Sequence, residues 1–124
     1  MTQTSQLSPA PIKAGRLEIR PDEHAVLADG RHLLLTARER DLLTELARAG
    51  DRILTREELH EAAWGSPLRG GDRSIDVYVS RVRRKLATAL PELEFIHTHF
   101  GIGYRFQPLP NSRSHPFHTS ATGA

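Results

Sequence analysis

The sequence predicts an α+β domain: short antiparallel strands first, three helices next and a β-hairpin last. Three observations predict it. Alternating apolar and polar residues flank an Asp29-Gly30 pair, which marks an N-terminal hairpin. Two capping boxes, Thr36-Ala37-Arg38-Glu39 and Thr55-Arg56-Glu57-Glu58, each open a run of apolar residues at helical spacing. Near the end, Gly101-Ile102-Gly103 separates Phe95-Ile96-His97-Thr98-His99 from Tyr104-Arg105-Phe106, the pattern of two strands and a turn.

Taken in order, Leu17-Glu18-Ile19-Arg20 alternates and then meets Pro21 and an Asp22-Glu23 turn. Val26 and Leu27 predict a second short strand, and Arg31–Leu35 a third beyond the Asp29-Gly30 turn, where both residues tolerate positive φ. Thr36 starts the first helix, because its hydroxyl satisfies an amide three residues on while Glu39 reaches back. Leu42, Leu43, Leu46 and Ala47 follow at helical spacing until Gly50 ends it. Thr55 opens a second helix carrying Leu59, Ala62, Ala63 and Trp64, the last read as core because it is the only tryptophan and follows apolar positions. Gly65 to Gly71, with Pro67 inside, is a loop. Asp72 or Ser74 caps the third and longest helix, which Pro91 bounds. The folded unit is expected over residues 16–107, with unpatterned tails at 1–15 and 108–124.

Bulk properties exclude several classes. No apolar run approaches bilayer length, no secretory signal opens the chain, and there is no cysteine for disulfides, thiolate zinc sites or nucleophiles. A cytoplasmic location is expected. His97 and His99 share a strand face, and His115 and His118 lie near the end, but no third ligand accompanies either pair, so no metal is expected. No catalytic triad, phosphate loop or HExxH is present, and the chain reads as neither an enzyme nor a cofactor binder.

The charge is more informative by position than in sum. The chain carries a net +2, with 15 arginines and two lysines. Codon bias in a GC-rich genome accounts for most of the arginines. Residues 73–85 alone carry five cations against Asp76, a net +4. In this helix Ile75, Val79, Val82 and Leu86 fall in one narrow sector, which is core. Roughly opposite lie Arg73, Val77, Ser80, Arg81 and Arg84. A basic helix face is usually only solvated. Solvation does not explain a β-branched apolar residue there, whereas a thymine methyl in the major groove would suit Val77.

Leu35-Thr36-Ala37-Arg38-Glu39, Thr55-Arg56-Glu57-Glu58-Leu59, Trp64-Gly65, Asp72-Arg73-Ser74-Ile75-Asp76-Val77-Tyr78-Val79, Arg81-Val82-Arg83-Arg84-Lys85-Leu86 and Gly101-Ile102-Gly103-Tyr104-Arg105-Phe106 together resemble the effector domain of OmpR/PhoB-type response regulators, over about residues 16–107. The resemblance implies a winged helix-turn-helix: an N-terminal antiparallel sheet, a recognition helix at about 73–88 and a C-terminal hairpin wing. It implies sequence-specific binding of double-stranded DNA by a bacterial transcription regulator, with Val77 and Arg81 facing bases. Arg73, Ser74, Tyr78, Arg83, Arg84 and Thr98 are then expected at the DNA backbone. The loop containing Ser66, Pro67, Leu68 and Arg69 resembles the segment through which some family members touch RNA polymerase; a plain connector is the equal alternative. Tandem copies on direct repeats are also implied.

Two departures stand out. The chain has no room for the receiver domain that normally precedes such effectors, so activation by phosphorylation is not carried over as an expectation; a standalone protein starting at Met1 is expected, with an excised fragment the alternative. Many relatives place an arginine just before the first wing glycine, and here that position is Phe100, expected at the wing tip and in contact with protein, with insertion as an apolar wedge at a flexible base step the alternative. The rival reading is a winged helix that docks on RNA polymerase or another regulator; Phe100 and Leu68 favour it, while the arginines around Val77 oppose it.

Overall fold

The computed structural model describes residues 10–111. Four short strands form an antiparallel sheet in chain order: β1 (Ile12–Ala14), β2 (Leu17–Arg20), β3 (Ala25–Ala28) and β4 (Arg31–His32). Leu17 pairs with Ala28 and Ile19 with Val26, which sets these apolar side chains into the core. Asp29 and Gly30 take φ of 55° and 79°, so the expected two-residue turn is present.

Two boundaries differ from the sequence expectation. Residues 12–14, expected in a tail, form an edge strand, because Gly15 at φ 64° turns the chain back and lets Ile12 and Ala14 pack against the core. The strand expected to reach Leu35 stops at His32. Beyond it Lys85 Nζ donates to the Leu34 carbonyl at 3.1 Å, and the segment leaves the sheet for the helix with the Leu34 side chain exposed.

Helix α1 (Ala37–Arg48) starts at the Thr36–Glu39 box and buries Leu42, Leu43 and Leu46. Strand β5 (Leu54–Thr55) leads into α2 (Arg56–Trp64), opened by the Thr55–Glu58 box and ended by Gly65 at φ 74°. Ala62 is exposed, so α2 buries mainly Leu59 and His60. Helix α3 (Ser74–Ala89) buries Ile75, Val79, Val82 and Leu86, the stripe that its spacing predicts. The second sheet runs β5-β7-β6, from β6 (Leu93–His99) and β7 (Gly103–Pro110). Strand β7 passes the expected end at 107 because β6 goes on pairing with it, Glu94 with Leu109 and Leu93 with Pro110, while β5 meets only Gly103 and Tyr104. Its far end is an edge, where Pro108 and Pro110 need donate nothing. Residues 1–9 and 112–124, including His115 and His118, lie outside the described residues.

Glu39 joins α1 to α3. Its side chain is 3% exposed, accepts from the Thr36 amide at 2.9 Å and meets Lys85 Nζ at 2.8 Å. Burial pushes the carboxyl up, but the lysine and the Thr36 amide outweigh it and hold it below its ordinary value of 4.5. A carboxylate depressed in the folded state stabilises above its unfolded pKa, and that contribution is lost as pH falls through the folded value. Glu39→Gln should therefore lower stability by about 1.5 kcal/mol at pH 7, a charged hydrogen bond's contribution. The difference from the parent in thermal unfolding should shrink below about pH 4.5. A difference independent of pH would assign the loss to packing.

Candidate nucleic-acid interface

The outer side of α3 presents Arg73, Val77, Ser80, Arg81 and Arg84 to solvent, with Val77 43% exposed. Arg73, Arg81 and Arg84 have no carboxylate within 4.0 Å among the described residues. Ion pairs instead engage Arg16, Arg20, Arg48, Arg52, Arg56 and Lys85. The exposed cations of α3 are therefore free to meet an anionic partner. Ser74, half-buried, donates its amide to Asp72 at 2.8 Å, which holds the Asp72 carboxyl below the usual range.

Tyr78 is half-buried: its ring meets Trp64 edge to face at 5.1 Å, and the Arg81 guanidinium lies 5.1 Å from it. Trp64, expected in the core, packs against it but is likewise only half-buried, with the Arg38 guanidinium 4.0 Å over its ring. Its indole donates to the Arg38 carbonyl at 3.2 Å. Arg83, expected at the DNA backbone, is also held within the fold. Its Nη2 donates to Thr98 Oγ1 at 2.6 Å and its Nε to the Ile96 carbonyl at 3.1 Å, so two of its donors fasten α3 to the wing. Thr98 correspondingly faces α3.

Three groups that sequence reasoning missed brace this surface. Asp76 was visible only as a counter-charge; it accepts from Arg56 Nε at 2.8 Å and from the Tyr104 hydroxyl at 2.5 Å, joining α2, α3 and β7. Burial raises its carboxyl, but these two donors outweigh burial and hold it low, whereas burial and Asp76 push the Tyr104 hydroxyl up. His60 is buried, with Nδ1 2.6 Å from the Ser66 carbonyl; a carbonyl only accepts, so Nδ1 carries the proton. This bond pins one end of the loop in which Ser66, Pro67 and Arg69 are exposed and Leu68 is half-buried. Gly103 is the third, since a Cβ there would overlap the Leu54 carbonyl oxygen.

At the wing tip, the Ile102 amide donates to the His99 carbonyl at 2.9 Å and Gly101 takes φ 79°. Phe100 is 91% exposed and Ile102 half exposed. Among the described residues no group of three or more His, Cys, Asp or Glu could hold a metal ion, and no helix is long and apolar enough to cross a membrane.

An N-terminal sheet, three packed helices and a hairpin fastened to the third define a winged helix-turn-helix domain. Residues 30–106 match the family described as transcriptional regulatory protein, C terminal. The chain is 37% identical over 101 residues to Transcriptional regulatory protein SrrA of Staphylococcus aureus, spanning 81% of this chain but only 42% of that protein. It is similar in structure to the Klebsiella pneumoniae RstA DNA-binding domain in complex with RstA box, with TM-score 0.71 and 35% identity, over 82% of this chain and 100% of that one. The DNA-binding domain of CpxR from E. coli gives TM-score 0.72 and 30% identity, over 79% and 96%. The chain belongs to the family of transcriptional regulatory protein C-terminal domains.

Proposed function

We propose that the chain is the sequence-specific, double-stranded DNA-binding part of a bacterial transcription regulator, acting in the cytoplasm by binding and not by catalysis. On this reading α3 enters the major groove, Val77 and Arg81 meet base edges, and Arg73, Ser74, Tyr78, Arg83, Arg84 and Thr98 lie along the backbone. The observation that carries it is the exposed side of α3, where arginines without carboxylate partners surround an apolar Val77. The DNA-bound RstA domain, 35% identical, adds support.

An unbiased selection of duplexes, followed by a salt titration on the preferred one, tests the reading. Log affinity should fall against log salt with a slope of about −3 or steeper, as for several phosphates neutralised together. A shallow slope, or no preferred sequence, would overturn it. A second reading, docking on RNA polymerase or another protein, is favoured by the exposed Phe100 and Ile102 and by the Ser66–Arg69 loop that His60 fixes in place. The two readings are compatible, since wing tip and loop lie off the outer side of α3. A second copy in tandem on direct repeats would bring the same surfaces into play.

A further inference from the structure

Around α3, at about 100° per residue, Tyr78 and Arg83 fall on opposite sides of the buried stripe. Arg83 faces the wing through Thr98 and Ile96. On the other flank, Lys85 reaches Glu39 and the Leu34 carbonyl, which sets the start of α1 beside the recognition helix. The aromatic pair Tyr78 and Trp64 occupies that flank, and a cation lies on each side of it. Arg81 Cζ is 5.1 Å from the Tyr78 ring; Arg38 Cζ is 4.0 Å from the Trp64 ring and 5.8 Å from Tyr78.

Resting on the DNA-binding reading above, we propose that Arg38 is a further contact to the DNA backbone, so that the interface runs from the wing across α3 onto the first turn of α1. Arg38 is exposed and has no carboxylate within 4.0 Å among the described residues. The acid that feels its charge, Asp72, already accepts from the Ser74 amide. A guanidinium stacked on an indole uses its face and leaves its in-plane N–H donors for a phosphate. The stack also holds the group in place before binding, so little side-chain freedom remains to be lost. Trp64 is thereby a positioning residue: its ring supports Arg38 on one side and, through Tyr78, Arg81 on the other.

The test compares Arg38→Gln, which keeps a planar group on the ring without charge, with Arg38→Lys, which keeps the charge. The probe is the duplex chosen by the selection above. Arg38→Gln should flatten the salt slope by about 0.9 and weaken binding about eightfold at 0.1 M salt, the counterion contribution of one phosphate referred to 1 M. Arg38→Lys should keep the parental slope, and both should keep the parental base preference, because a backbone contact reads no sequence. Parental slope and affinity in Arg38→Gln would overturn the proposal. So would a lowered melting temperature with an unchanged slope, which is the mark of packing alone. A parent chain without a salt-dependent, sequence-preferring complex would remove the DNA-binding reading itself, and this contact with it.

Discussion

Gly103→Ala should destabilise the domain by about 3–5 kcal/mol and remove most folded, DNA-competent protein at 37 °C. The reason is not conformational freedom, since Gly103 is not among the positive-φ glycines. It is room. A Cβ at this position would overlap the Leu54 carbonyl oxygen and lie 2.8 Å from both the Leu54 carbonyl carbon and Thr55 Cα. All three atoms are backbone, so no side chain can swing aside. Relief requires parting β5 from β7, whose register pairs Thr55 with Gly103 and Leu54 with Tyr104. That displacement would drag the Tyr104 hydroxyl from Asp76 and disturb the Thr55 cap of α2. Overpacking ordinarily costs about 1–3 kcal/mol, and loss of a bonded network takes it into the exceptional range. Denaturant unfolding of the variant measures it. Gly101→Ala is the control: its φ of 79° strains an alanine, but open space surrounds it, so a loss of only about 1 kcal/mol is expected. Equal losses at the two glycines would refute the steric account.

This contrast also shows what was legible beforehand. Gly101-Ile102-Gly103 reads as a turn from sequence, yet only Gly101 serves the turn; Gly103 serves a contact with a strand nearly fifty residues earlier. Local pattern was readable wherever the physics is local. The two capping boxes, the Asp29-Gly30 turn and the buried stripe of α3 all depend on spacings of two to eleven residues, and the structure places them as expected. What sequence could not supply is pairing across the fold. Asp76 finds Arg56 and Tyr104, and Glu39 finds Lys85. Trp64 misled for a related reason. Its size and neighbours suggest core, but the indole is shared between a backbone carbonyl and a guanidinium at the surface. At the interface, spacing was enough to gather Arg73, Val77, Arg81 and Arg84 on one exposed side. It also left Arg83 off that side, but could not show that Arg83 fastens α3 to the wing.

Arg81 and Arg83 should accordingly fail in different ways when truncated. Arg81 is exposed, stands one turn from Val77 on the outer side of α3 and stacks beside Tyr78. A fork held in this way matches guanine O6 and N7 together. Arg81→Ala should therefore lose about 1–3 kcal/mol on the preferred duplex, roughly 5- to 150-fold, and relax the choice at one base position. Its melting temperature should match the parent, because an exposed stacked cation supplies little stability. Arg83→Ala should weaken all duplexes alike and flatten the salt slope by about one unit if its remaining donors meet a phosphate. It should also lower the melting temperature, since Thr98 and the Ile96 carbonyl lose the donors that fasten the wing to α3. Arg83→Lys separates the two effects: the charge persists, so the slope is kept, but the forked bond to the wing is lost and the melting temperature still falls. Binding isotherms on the preferred duplex and on single-base variants, taken at several salt concentrations beside thermal melts, distinguish the cases. A uniform loss for Arg81→Ala across all base variants would move it from the base edges to the backbone.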